Sequence, residues 1–186
     1  MADTKRTKAA LATLFADNTS GDISPADLRD YLESLDVSRA ALYWTGFATT
    51  TLASQGTLVA GGTNRVKVLG ATTSKTANRF SHDNNKLTYT GAPTIKADIF
   101  GVFSFEIDLA NQSVILELYL NGAYLIGSYT PSRVAIVDQP WQMTIMGETN
   151  LATNDFVELY IANGTSAGKI ITPHAGYLNI QEIPLG

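Results

Sequence analysis

The chain has 186 residues, a formal net charge of −4 and no cysteine. Without cysteine it can form neither a disulfide framework nor a thiolate metal site. The acidic balance and the lack of a long basic cluster argue against nucleic acid as the main partner, because such binding depends on neutralised phosphates. No apolar run reaches the ~18–20 residues of a membrane span, so we also expect no membrane insertion.

Residues 7–38 carry the only helical periodicity, and we expect a pair of short helices there. The second helix has a clear start signal, with Ser24 as N-cap and Pro25 at the first helical position. Two short helices bury little surface by themselves, so their apolar stripe needs a partner. We predict that residues 1–38 form an attachment segment whose contact residues are Leu28, Tyr31, Leu32 and Leu35.

From residue 39 onward we expect a β-domain that continues to residue 186. Two of the predicted strands are Val102–Leu109 and Val114–Leu120. Apolar residues recur at every second position from Phe103 to Leu109 and from Val114 to Leu120, the period of a strand. Asn121-Gly122 then supplies the dipeptide best suited to a hairpin turn with positive φ. About ten short strands without intervening helices predict an antiparallel sandwich or barrel. The other predicted strands are Leu42–Phe47, Thr57–Val59, Arg65–Leu69, Lys86–Tyr89, Thr94–Phe100, Trp141–Met146, Phe156–Ile161 and Tyr177–Ile183.

The order of these strands resembles the jelly roll of tumour necrosis factor and complement globular-head domains. The resemblance covers roughly residues 40–186 and rests on Gly101–Leu109, the strand ending at Asn121-Gly122, and the final strand YLNIQEI. It departs from the usual pattern before the penultimate strand, where Asn154-Asp155 stands in place of Gly-Asp. The resemblance implies a jelly-roll sandwich and a homotrimer.

Two further segments, Phe15–Leu35 and Asn78–Gly91, resemble parts of structural proteins of tailed bacteriophages. This resemblance implies a non-enzymatic virion component, such as a capsid decoration, head-fibre or tail-fibre subunit. Such a protein is made in the host cytoplasm, sits on the particle surface and binds other virion proteins, with a host-surface glycan as a further partner. The alternative is a carbohydrate- or receptor-binding module, either on a phage tail or as a secreted lectin-like domain.

The trimer interface is predicted from two strands. Val157, Leu159 and Ile161 can fill the core, which turns the alternate residues of that strand outward. The final strand follows the same alternation. If the two strands share one sheet, as the resemblance implies, their outward residues form a single aromatic patch, which is typical of an interface. The predicted interface residues are Phe156, Glu158, Tyr160, Tyr177, Asn179 and Gln181.

No catalytic motif stands out, and we predict no catalytic residue, cofactor or metal. Glu117 and Glu158 could serve glycoside hydrolysis if they met in a cleft. We expect their strands to lie in opposite sheets, which would keep the two carboxylates apart. A hydrolase is therefore the least favoured of the three function classes.

Overall fold

The computed structural model describes residues 13, 24, 28, 31, 32, 36–47, 50–52, 60–83, 85–137, 139–165 and 168–184. Within these residues the chain forms twelve β-strands. They are β1 (Arg39–Phe47), β2 (Thr50–Leu52), β3 (Val66–Lys67), β4 (Gly70–Asn78), β5 (Phe80–Asp83), β6 (Lys86–Tyr89), β7 (Ile95–Ile107), β8 (Gln112–Leu120), β9 (Ala123–Val134), β10 (Trp141–Leu151), β11 (Phe156–Asn163) and β12 (Lys169–Glu182).

The strands form two six-stranded sheets. The front sheet has the order β10-β7-β12-β1-β4, with β2 paired to β12. The back sheet has the order β5-β6-β11-β8-β9, with β3 paired to β11. Every strand pairing is antiparallel, and one apolar core joins strands of both sheets. The predicted antiparallel β-sandwich is confirmed.

The second half of the chain passes repeatedly between the two sheets. Strands β7, β10 and β12 belong to the front sheet, whereas β8, β9 and β11 belong to the back sheet. The chain therefore changes sheet after β7, β9, β10 and β11. Strands β9 and β10, which are consecutive in sequence and belong to opposite sheets, contact each other.

The core lies between the sheets and follows the two-residue period of the strands. In β7 the odd-numbered residues from Ile95 to Ile107 are buried, and those at even positions are exposed or half-buried. In β8 Leu116 and Leu118 are fully buried, as predicted. Both residues belong to the core cluster between the sheets, whereas Ile115 does not. A shift of one residue would exchange the two faces, so the predicted register of β8 is confirmed.

Two turns and one packing contact fix the path of the chain. Asn121 and Gly122 have φ angles of 53° and 76°, as the turn predicted at this dipeptide requires. Asn154 has a φ of 73°, so asparagine takes the left-handed position before β11 that glycine usually fills. Gly101 lies inside β7, where a Cβ atom would come within 2.8 Å of Ile145 Cγ2. It therefore permits close packing and does not end a strand.

The N-terminal segment is described only in part. Thr13, Leu28, Tyr31 and Leu32 are helical, and the Leu28 amide donates a hydrogen bond of 3.2 Å to the Ser24 carbonyl. The rest of the predicted helix pair, including Leu35, lies outside the described residues, as does the predicted strand Thr57–Val59.

Candidate subunit interface

The outward side of the front sheet carries a group of large apolar side chains. The strand registers place Tyr43 opposite Tyr177 and Tyr177 opposite Val102. In the next row Phe100 lies opposite Met146. Their neighbours along each strand point into the core, so these five side chains point away from it. We call Tyr43, Phe100, Val102, Met146 and Tyr177 the aromatic face.

The aromatic face leaves much apolar surface in water. The exposed fraction of the residue is 71% for Met146 and 38% for Phe100. The ring centroids of Tyr43 and Tyr177 lie 4.8 Å apart, and Phe100 meets Tyr177 edge-on at 6.4 Å. Burial, with a smaller contribution from Tyr43, raises the pKa of the Tyr177 phenol. A grouped patch of this kind is typical of a surface that binds another protein.

An ion pair and a histidine–carboxylate contact lie on the same side of the front sheet. Lys96 Nζ contacts Glu148 Oε1 at 2.7 Å, and His174 Nε2 lies 3.1 Å from Glu106 Oε1. All four side chains retain contact with water. The aromatic face therefore has a polar rim, as many protein interfaces do.

The outward side of the back sheet is different, because its polar groups are satisfied inside the chain. Glu117 is fully buried and accepts hydrogen bonds from the Arg65 guanidinium and from the Gly61 amide, the latter at 2.9 Å. Lys67 donates to Glu158 at 2.5 Å. Segment 60–67 thus supplies a cation to each of two outward-facing carboxylates.

Tyrosine rings pack beside these ion pairs. Tyr119 and Tyr160 stack with ring centroids 4.0 Å apart, and Tyr124 meets Tyr119 edge-on at 6.3 Å. Burial raises the pKa of Tyr119 and of Tyr160, and the carboxylates of Glu117 and Glu158 respectively raise it further. Each of these rings packs much of its surface against another ring.

The structure does not bring the predicted interface residues together. Tyr177, Asn179 and Gln181 lie on β12 of the front sheet, facing outward as expected. Phe156, Glu158 and Tyr160 lie on β11, which belongs to the back sheet. The prediction that these six residues form one patch is therefore wrong. The prediction assumed that β11 and β12 share one sheet, but the chain crosses from one sheet to the other between them.

The three residues on β11 already have partners within the chain. The Lys86 ammonium lies 4.5 Å from the centre of the Phe156 ring. Glu158 pairs with Lys67, and Tyr160 stacks on Tyr119. These contacts account for the outward aromatic residues of β11 without a second subunit.

The expectation that Glu117 and Glu158 belong to opposite sheets is also wrong. Their strands β8 and β11 are hydrogen-bonded neighbours in the back sheet, with Glu117 opposite Tyr160 and Glu158 opposite Tyr119. Each carboxylate is nevertheless paired with its own cation, Arg65 or Lys67. In the described part of the chain, no group of three histidine, aspartate or glutamate side chains is arranged to hold a metal ion.

Sequence reasoning missed four residues of the aromatic face: Tyr43, Phe100, Val102 and Met146. The alternation in β7 would have placed Phe100 outward if it had been followed through Gly101. Tyr43 likewise lies between the buried Leu42 and Trp44. Met146 ends the predicted strand Trp141–Met146, whereas β10 continues to Leu151.

Of the predicted attachment residues, Leu28, Tyr31 and Leu32 are helical and exposed. Leu35 lies outside the described residues. Among the described helical residues there is no stretch long and apolar enough to cross a membrane.

No family model and no curated protein matches the sequence. Similar solved structures include three crystal structures of murine APRIL. The structure at pH 5.0 gives a TM-score of 0.50 at 11% sequence identity and covers 80% of this chain and 100% of that chain. The structures at pH 8.5 and pH 8.0 give TM-scores of 0.48 and 0.46 at 10% and 12% identity, and each covers 78% of this chain and 99% of the other. The topology of the two sheets, together with the likeness to the pH 5.0 structure, shows a jelly-roll fold of the tumour-necrosis-factor type.

Proposed function

We propose that the protein is a non-enzymatic structural component of a bacteriophage particle. It assembles as a homotrimer through the aromatic face of the front sheet, and its N-terminal segment attaches it to other virion proteins on the particle surface. The observation that carries this proposal is the aromatic face, where Met146 and Phe100 hold apolar surface in water. Burying such a patch against copies of itself would remove that surface from water.

The β-domain would form the trimer, and the N-terminal segment would attach it to other virion proteins. Leu28, Tyr31 and Leu32 are exposed by 51%, 38% and 64%, which leaves apolar side chains of the N-terminal segment open to a partner. The virion assignment rests on the resemblance of Phe15–Leu35 and Asn78–Gly91 to phage structural proteins. A non-enzymatic role is supported by the buried carboxylates Glu117 and Glu158, which are already paired with cations.

Immunogold labelling of purified particles tests this function. The wild-type protein should label the particle surface, and a variant that lacks residues 1–35 should not. Far-UV circular dichroism of the truncated protein should retain the β-signal, because β1 begins only at Arg39. Absence of the wild-type protein from particles would contradict the virion role. Labelling by the truncated variant would contradict the attachment role alone.

A further inference from the structure

We propose that Arg39 of one subunit forms an ion pair with Asp98 of a neighbouring subunit, and that this contact sets how the copies align. The inference rests on the proposed self-association through the aromatic face. The ion pair would fix how neighbouring subunits align, which an apolar patch alone does not specify. Complementary charges typically supply such specificity at interfaces.

Arg39 and Asp98 lie in one row across the outward side of the front sheet. Arg39 is opposite Gln181 on β12, and Gln181 is opposite Asp98 on β7. Two strand spacings separate them, roughly 10 Å, with the Gln181 side chain between. The row borders the aromatic face, because Gln181 is two residues from Asn179 and Asp98 is two residues from Phe100 on the same side of the sheet.

These two charged groups differ from the polar rim of the aromatic face, whose members contact each other. Lys96 pairs with Glu148, and His174 pairs with Glu106. Among the residues that the structure describes, Arg39 and Asp98 have no salt-bridge partner. Both side chains are exposed. The subunit thus presents one unpaired positive and one unpaired negative group beside its apolar patch.

The surroundings of Asp98 suit an arginine side chain. A shallow depression there is lined by Asp98, Phe100, Met146 and Glu148, among others. A guanidinium is planar, binds a carboxylate through two parallel hydrogen bonds and stacks on aromatic rings. Asp98 would supply the carboxylate and Phe100 the ring. Arg39 of a second copy therefore has a site that matches its chemistry.

Arg39 and Asp98 lie on different strands of the same face. In a cyclic trimer every interface is heterologous, so each contact joins the Arg39 side of one subunit to the Asp98 side of the next. Such heterologous contacts close into a ring when the rotation between subunits allows it. In a trimer each subunit would give its Arg39 to one neighbour and receive Arg39 of the other neighbour at its Asp98. One copy of the contact would occur at each of the three interfaces.

Charge reversal tests the pair. The variants Arg39→Asp and Asp98→Arg should each weaken assembly by about tenfold or more, because two like charges would then meet. The double variant carrying both changes should recover most of the wild-type affinity, since the pair is restored with its signs exchanged. Sedimentation equilibrium gives the dissociation constants. Arg133→Asp and Asp108→Arg, which change the same charges elsewhere on the surface, serve as controls and should leave assembly unchanged.

Mixing the two single variants gives a stricter test. In the mixture, neighbours of opposite type restore the ion pair and neighbours of the same type do not. A ring of three must contain two adjacent copies of one type, so the mixture should assemble less tightly than the wild type. Full recovery in the mixture would overturn the trimer, because only a ring with an even number of subunits can alternate the two types.

The outcomes separate this inference from the proposed function. If the wild type assembles and the single reversals behave as their controls do, the Arg39–Asp98 contact is wrong and the aromatic face still accounts for assembly. The contact is also wrong if the double variant assembles no better than the singles. A wild-type protein that stays monomeric overturns the self-association and the contact together.

Discussion

At the scale of single residues, the back sheet contains a buried ion pair, Glu117 with Arg65, whose charges must be compensated within the protein. Glu117 has no exposed surface, and the Arg65 side chain is 4% exposed. Removing a carboxylate from water is costly, and the cost is offset only when charge partners and hydrogen-bond donors surround it. Arg65 and the Gly61 amide supply these donors.

The change Glu117→Gln should destabilise the protein by about 3 kcal/mol or more, because it leaves a buried guanidinium without its counter-charge. Urea denaturation at one fixed protein concentration measures the free energy of unfolding. The control is Asp108→Asn, the same chemical change at an exposed turn position, and its effect should stay within about 0.5 kcal/mol. Equal effects of the two variants would show that the pair contributes little to stability.

The pKa shifts of the tyrosines beside this pair predict that the protein becomes less stable at alkaline pH. Burial, and then the nearby Glu117 or Glu158, raises the pKa of Tyr119 and Tyr160. The native state therefore holds the phenolic protons more tightly than the unfolded state does. This stabilisation is complete below the unfolded pKa of about 10 and is lost as the pH rises through the higher native pKa.

With both Tyr119→Phe and Tyr160→Phe, the free energy of unfolding should therefore decrease less steeply as the pH rises above about 10. Urea denaturation across the alkaline range measures this slope. Tyr31→Phe, outside the β-strands, serves as the control and should keep the wild-type slope. A double variant with the wild-type slope would show that these two phenols do not contribute to the pH dependence.

At the scale of elements, the turn between β5 and β6 joins the two sheets through one side chain. Asn85 Oδ1 accepts hydrogen bonds from Trp44 Nε1 at 2.7 Å and from the Gly70 amide at 2.8 Å. Trp44 belongs to β1, and Gly70 begins β4. A back-sheet turn is thereby tied to two front-sheet strands at a buried position.

Replacing Asn85 with Ala should cost about 2–4 kcal/mol, because the buried Trp44 N–H and the partly buried Gly70 N–H lose their acceptor. Asn111→Ala is a matched control. Asn85 and Asn111 have similar positive φ angles of 65° and 59°, so both variants carry the same backbone strain. Asn111 is exposed and accepts one hydrogen bond, from Arg133. Thermal unfolding midpoints that fall equally in both variants would contradict the role of the buried hydrogen bonds.

The elements show which features of the fold can be predicted from the sequence. Strands with a buried side and regular alternation, such as β6 and β8, were predicted closely because local periodicity determines them. Strand β9 was missed because Gly127 has a φ of 91° and Ile126 is 89% exposed, which breaks the alternation. Strand β4 was missed because its sequence, GATTSKTAN, has almost no apolar side chain that could show a period.

The candidate site was harder to predict than the strands. Alternation correctly showed that Tyr177, Asn179 and Gln181 face outward. It cannot show which sheet a strand joins, since that depends on pairing with residues far away in the sequence. Tyr160 and Tyr177 are close in the chain. However, the strand of Tyr160 pairs with β8 in the back sheet, and the strand of Tyr177 pairs with β1 and β7 in the front sheet. The grouping of Phe156 and Tyr160 with Tyr177 failed for this reason.

At the scale of the whole molecule, the outward aromatic residues of the two sheets differ in whether they are packed within the chain. On the back sheet, Glu117, Glu158 and the tyrosines beside them are paired or stacked within the chain. On the front sheet, the aromatic face leaves Phe100 and Met146 exposed. The central claim is that this asymmetry directs assembly, so that the subunits associate through the front sheet.

The most direct test is the mass in solution of three proteins, measured by light scattering at micromolar concentration. The wild type should have three times the 19.9 kDa mass of the chain. Phe100→Asp should be a folded monomer, because it places a charge on the aromatic face. Phe156→Asp makes the same change on the back sheet and should remain a trimer. A monomeric wild type, or a Phe156→Asp monomer beside a Phe100→Asp trimer, would contradict assembly through the front sheet.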